Sequence, residues 1–140
     1  MIKNSKLAWL LITVALLGFA DATYLAIEHF RGVVPPCSLV SGCEAVTTSV
    51  YATIMNVPVA LLGSIYYFAI ICLLLWYIKT GNEKILWHVK YGTIIGLVAS
   101  AYFVYLQVGV IQAICQYCML SAATSTALFI ISWSKIQKEQ

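Results

Sequence analysis

VPVALLGSIYYFAIICLLLWYI, residues 57–78, carries no charged side chain from end to end. A helix rises about 1.5 Å per residue, so a run of this length crosses the roughly 30 Å hydrocarbon core of a bilayer. The run has no strict apolar–polar alternation, so it reads as helix and not strand. Inside lipid the backbone must satisfy its own hydrogen bonds, which only helices and closed barrels achieve. Working outward, three more runs of this kind lie at roughly 7–27, 91–111 and 114–133. The chain therefore reads as an all-α integral membrane protein. Its 140 residues form a single domain, a four-helix bundle with a long extracytoplasmic loop at 28–56 between helices 1 and 2.

Composition agrees. Sixty-two per cent of residues are apolar and 9% charged, against about 45–50% and about 25% in soluble domains. Mean hydropathy is +0.92. These values exclude a disordered chain, a nucleic-acid binder and an ordinary soluble enzyme; membrane lipid is the expected surrounding. The first run is too long for a signal peptide, lacks a small-residue cleavage site and is followed by three more.

Charge sets the expected orientation. Lys3 and Lys6 precede the first run, Lys79, Lys84 and Lys90 lie between the second and third, and Lys135 and Lys138 follow the fourth. The other side carries only Arg31, near Glu28 and Glu44. Basic loops stay inside, which puts both termini and a short polar 79–90 loop in the cytoplasm of a multi-pass cell membrane protein. A tight turn is expected near 109–113. In the long loop, Pro35 and Pro36 impose extended backbone, and the apolar stretch 46–54 reads as a short helix or irregular cap over the bundle mouth.

Four of the five cysteines then fall on the oxidising side, in two close pairs. Cys115 and Cys118 form a Cys-Gln-Tyr-Cys motif at the start of the fourth run. A helix N-terminus favours a thiolate, the form that attacks disulfides and donates electrons. Here that helix start is also the membrane surface, where a dithiol could exchange electrons with a lipid-soluble carrier. Cys37 and Cys43, on the loop, could reach a soluble partner and also swing toward Cys115. Two such dithiols in series make a relay. The competing readings are static disulfides or a metal site built from all four cysteines. Cys72, within the second run, reads as a small buried apolar residue.

Other residues invite two readings each. Asp21 lies within the first run, where an acid is costly; it either assists proton uptake or bonds to a Ser or Tyr of a neighbouring helix. His29 reads as an interfacial anchor, and His88 lies on the wrong side for the chemistry. Trp9, Trp76, Trp87 and Trp133 form an aromatic belt near the inner interface. Tyr51, Tyr102, Tyr105 and Tyr117 could line a pocket for a flat ring, though packing is their commoner role. Gly92, Gly96, Ser100 and Ala101 allow close helix contact.

The set Cys37-x5-Cys43, Ser49 six residues later, Pro58 and Gly63 opening the second run, and Cys115-Gln-Tyr-Cys118 resembles the vitamin K epoxide reductase family in its bacterial or archaeal form. The segment from Tyr24 to His29 also looks like the end of that family's first helix. The resemblance implies a membrane thiol:quinone oxidoreductase supporting disulfide bond formation. Cys115 and Cys118 would be the active-site pair and Cys37 and Cys43 the relay. Cys118, Ser49 and Tyr117 would lie beside the quinone, ubiquinone or menaquinone. No metal is implied. Many bacterial members carry a fused thioredoxin-like domain; this chain ends at Gln140, so a separate thioredoxin-like (DsbA-type) partner is expected. Vertebrate members have an aromatic residue one turn after the motif where this chain has Ala122, which favours simple quinone reduction over epoxide reduction. The alternative class is a non-enzymatic membrane protein with structural disulfides or a four-cysteine metal site. Oligomeric state is not legible in the sequence.

Overall fold

The computed structural model describes residues 5–32, 53–113 and 115–136. Four helices dominate: α1 (Ser5–Arg31), α2 (Val59–Thr80), α3 (Glu83–Tyr105) and α4 (Gln116–Ile131). A π-helical turn, Leu106–Ile111, extends α3, and another, Ser132–Ile136, extends α4. All four helices are long and apolar enough to cross a membrane. Many large apolar side chains face outward, among them Leu17, Ile65, Phe68, Ile95 and Val98. In water so much exposed apolar surface would drive association; facing lipid it needs no partner.

Each helix packs on its two neighbours, α1 on α2 and α4, and α3 on α2 and α4, closing a four-membered ring. Tyr67 of α2 spans the interior to α4. Its hydroxyl donates to the Ser121 carbonyl at 2.7 Å and lies 2.8 Å from Thr124 Oγ1. Gly18 of α1 makes room for it, because a Cβ there would collide with the Tyr67 ring. Gly96 of α3 does the same for the Tyr66 hydroxyl and Ser125 Oγ. The small-residue spacing expected along α3 thus serves close approach at Gly96, whereas Ala101 is exposed.

Several boundaries differ from the sequence reading. The third helix begins at Glu83, not near residue 91, and the 79–90 loop shrinks to Gly81 and Asn82. The cause is local capping. Gly81 takes the left-handed conformation (φ 71°) and its N–H bonds the Tyr77 carbonyl; Asn82 then caps α3 by accepting from the Lys84 amide at 3.0 Å. Both are strong stop and start signals. The polarity of Glu83, Lys84 and His88 marks an exposed helix face, not a loop. Lys90 is buried, with Nζ 4.7 Å from the Trp87 ring centre and 4.3 Å from that of Trp133. Trp87 and Trp133 therefore both pack on the Lys90 ammonium.

The first helix runs on to Arg31, so Glu28 is helical, paired with Arg31 at 3.1 Å. Thr53–Ile54 (β1) pairs antiparallel with Val57–Pro58 (β2), and is neither helix nor irregular cap. Met55 and Asn56 both have positive φ, 52° and 68°, the turn geometry that matches the twist of a hairpin. The rest of 46–54, Pro35, Pro36 and most of the expected long loop lie outside the described residues. Cys72 is exposed on the outer surface of α2, not buried, because Ile71 and Leu74 take the inward positions.

Candidate active site

The chain reverses between Ile111, the end of the π-helical turn, and Gln116, the start of α4. Gln112 adopts the left-handed conformation (φ 58°) and bonds the Gln107 carbonyl. The Ala113 amide bonds that same carbonyl at 3.0 Å. The expected turn near 109–113 is thus displaced by a few residues, since Gly109 still belongs to the π-helical turn. Cys115 is the N-cap of α4 with extended backbone (φ −102°, ψ 122°), and the Met119 amide bonds its carbonyl at 3.0 Å, the first rung of the helix. Cys115 is fully buried, packed among Ile111, Ala113, Tyr117 and Cys118.

Cys115 and Cys118 stand as free thiols on one face of this first turn. The Cys115 thiol is lowered to about 7. Hydrogen bonding from the Cys118 thiol is the main cause, and burial opposes it. The backbone N–H groups of Cys118 and Tyr117 add to the lowering. Neither closes a formal capping bond to the sulfur, yet both present positive charge to a thiolate, as the exposed amides of a helix start do. A thiol near 7 is half ionised at neutral pH, which suits nucleophilic attack on a disulfide.

Around the pair, the Tyr117 ring lies 5.4 Å from that of Tyr24 on α1. Thr23 and Ser64 join α1 to α2 through a 2.9 Å hydroxyl pair. Asp21 is 7% exposed, and its Oδ2 is buried without a hydrogen-bond partner. Of its two sequence readings, an acid bonded to a neighbouring Ser or Tyr is not what the structure shows. Asp21 lies within electrostatic range of both Cys115 and Cys118. Gly18 sits against Thr124 and Tyr24 against Tyr117. Asp21, midway between Gly18 and Tyr24, therefore lies level with the first two turns of α4.

Residues 9–133 match the Vitamin K epoxide reductase family. The chain belongs to that family. No curated protein matches it. Membership makes the chain a member of an oxidoreductase family of membrane proteins, and the helices long enough to span a membrane agree.

Within this vitamin K epoxide reductase fold, the expected site residues divide into three groups. Cys115, Tyr117 and Cys118 come together on the first turn of α4. Cys37, Cys43, Ser49 and Tyr51 lie outside the described residues. Tyr102 and Tyr105 are exposed on the outside of the bundle. His29 is also exposed, its ring 6.1 Å from that of Phe30. Among the described residues no group of His, Cys, Asp or Glu has metal-holding geometry. Sequence reasoning missed Gln107. It is 2% exposed, and its side-chain Oε1 accepts from the Cys115 amide at 2.9 Å. An amide within an apolar run, where burial is costly unless bonded, was the available signal.

Proposed function

We propose that the chain is a membrane thiol:quinone oxidoreductase that passes electrons from a separate thioredoxin-like (DsbA-type) protein to a membrane quinone. The observation that carries this is the Cys115–Cys118 dithiol at a helix start, with Cys115 acidified and Cys118 beside it. The reaction balances as two thiols plus quinone giving one disulfide plus quinol, with two electrons and two protons transferred. The partner's dithiol would reduce a Cys37–Cys43 disulfide, and that pair would in turn reduce Cys115–Cys118. A strong thiol oxidant needs a stronger electron sink to be recycled, and a quinone is one. Net flow in this direction supports disulfide formation outside the cytoplasm.

The quinone is a substrate here, and the residues present suit a flat ring with polar edges. Tyr117 packs against Cys115 and pairs with the Tyr24 ring, giving aromatic surface at the dithiol. The unpartnered Asp21 Oδ2 supplies a polar group within the same end of the bundle. Both termini and the lysines flanking the Gly81–Asn82 turn would face the cytoplasm, and the dithiol the opposite side.

The test mixes purified, detergent-solubilised protein with a reduced thioredoxin-like substrate and a soluble quinone, and follows quinol formation optically. Turnover that disappears on Cys115→Ala or Cys118→Ala supports the reading. Absence of turnover in folded protein with several quinones, together with about one zinc per chain, would move the assignment to a structural metal site.

A further inference from the structure

We propose that Gln107 is a positioning residue for the Cys115 sulfur, acting through the Cys115 backbone amide. The inference rests on the reading of Cys115 and Cys118 as a redox dithiol.

Gln107 binds three residues of the connection into α4. Its carbonyl accepts from the amides of Gln112 and Ala113, and its side-chain Oε1 accepts from the amide of Cys115. The Cys115 carbonyl is already taken by Met119. Both backbone groups of Cys115 are thereby fixed, and only the rotation about its Cα–Cβ bond is left to place the sulfur. Held so, the sulfur stays by Cys118 and the amides of the first turn of α4. The π-helical turn is part of the device. Its wider winding leaves Leu106 and Gln107 buried while Val108, Gly109 and Val110 are exposed. Single π turns within α-helices occur often at functional sites. The Gln107 amide is polar and buried in an apolar bundle, and its bond to Cys115 offsets that burial.

Loss of this bond should loosen Cys115 and weaken the thiolate, which favours the disulfide over the dithiol. The test uses the full chain with Cys37→Ala and Cys43→Ala, equilibrated in glutathione buffers from pH 6 to 8.5. The Cys115–Cys118 disulfide is counted by mass spectrometry after acid quench. Reduction by two glutathiones releases one oxidised glutathione and leaves two protein thiols. Its equilibrium is flat in pH while Cys115 stays protonated, and rises about tenfold per pH unit once it ionises. In the chain with Gln107 the rise should begin near pH 7. Gln107→Met keeps the volume and removes the acceptor. It should shift the rise upward and lower the reduced-to-oxidised ratio at pH 8 by about three- to tenfold, the worth of one hydrogen bond.

A folded Gln107→Met protein with an unshifted curve overturns the proposal. A mere loss of stability would lower the melting temperature without moving the curve. If the Met variant does not fold, hydrogen exchange at the Cys115 amide of the Gln107 protein decides. Slow exchange supports the bond and rapid exchange overturns it. Quinol formation is measured separately. Its absence beside a shifted curve removes the thiol:quinone reading and leaves the role of Gln107 standing.

Discussion

The two ends of the bundle are made by the same four helices but packed by different rules. At the end where α1 begins, the interior is mostly apolar, Ala8, Leu11, Ala15, Leu74, Leu86 and Val89, with buried hydroxyls at Thr93 and Ser132. Among the described residues there, the buried Lys90 rests on two Trp rings. At the cysteine end Asp21, Ser64, Gln107 and Cys115 are buried among apolar Ala22, Leu25 and Leu106; Ser64 bonds the half-buried Thr23, Gln107 bonds the Cys115 amide, and Asp21 Oδ2 has no hydrogen-bond partner. Tyr67 and Tyr66 mark the border, each seated over a glycine of a neighbouring helix. The difference teaches what each end is for. Apolar packing in lipid gives a rigid, water-free base. A polar interior costs stability, and an ionisable side chain such as Asp21 within a spanning helix marks a candidate functional region.

The comparison breaks most sharply at the cysteines. Cys118→Ser should abolish quinol formation while leaving the melting temperature nearly unchanged, because a hydroxyl replaces a thiol at a half-buried site. Wild-type turnover in that variant would reduce the cysteine end to packing. The pH profile sharpens the same point. Dithiol attack on an added disulfide should rise about tenfold per pH unit below 7 and level off above it, since the thiolate is the nucleophile and Cys115 ionises at about 7. The depressed pKa also stabilises the reduced fold: that stabilisation is complete above the free thiol's pKa and is lost as pH falls through about 7. Stopped-flow kinetics and melting curves across pH check the two statements.

The border should respond by stability. Gly96→Val places a side chain against the Tyr66 hydroxyl and Ser125 Oγ. Overpacking of this kind costs about 1–3 kcal/mol, visible as a lower melting temperature in detergent. Tyr67→Phe removes the bond to the Ser121 carbonyl and should cost less, about 0.5–1.5 kcal/mol.

Legibility in the sequence follows the same division. Lipid imposes length and apolarity on every spanning helix, so the four runs are visible without any structure. Two cysteines separated by two residues at the start of the last run are equally visible, because the motif is written in four consecutive residues. Features that depend on a single backbone torsion are not visible in this way. Gly81 and Asn82 end one helix and start another within two residues, whereas polarity alone suggests a loop up to Lys90. The π-helical turn that buries Gln107 has no composition signal of its own. Asp21 was conspicuous as a charge in an apolar run, but its lack of a partner is a fact of packing.

The smallest expected effect is at the terminus end and tests whether the comparison holds there too. Lys90 is buried beside aromatic faces, with no carboxylate paired to it among the described residues. Each ring attracts the ammonium by about 0.5–2 kcal/mol. Removing the ammonium from water costs several kcal/mol and works the other way. Lys90→Met keeps the long apolar stem against Trp87 and Trp133 and removes both terms together. The melting temperature should therefore change by no more than a few degrees, and quinol formation should be unaffected. A large loss of stability would mean that this charge carries structure, and that the terminus end depends on polar groups as much as the cysteine end does. A near-zero result leaves the division intact, because a base held by apolar contact tolerates the loss of a charge that nothing pairs.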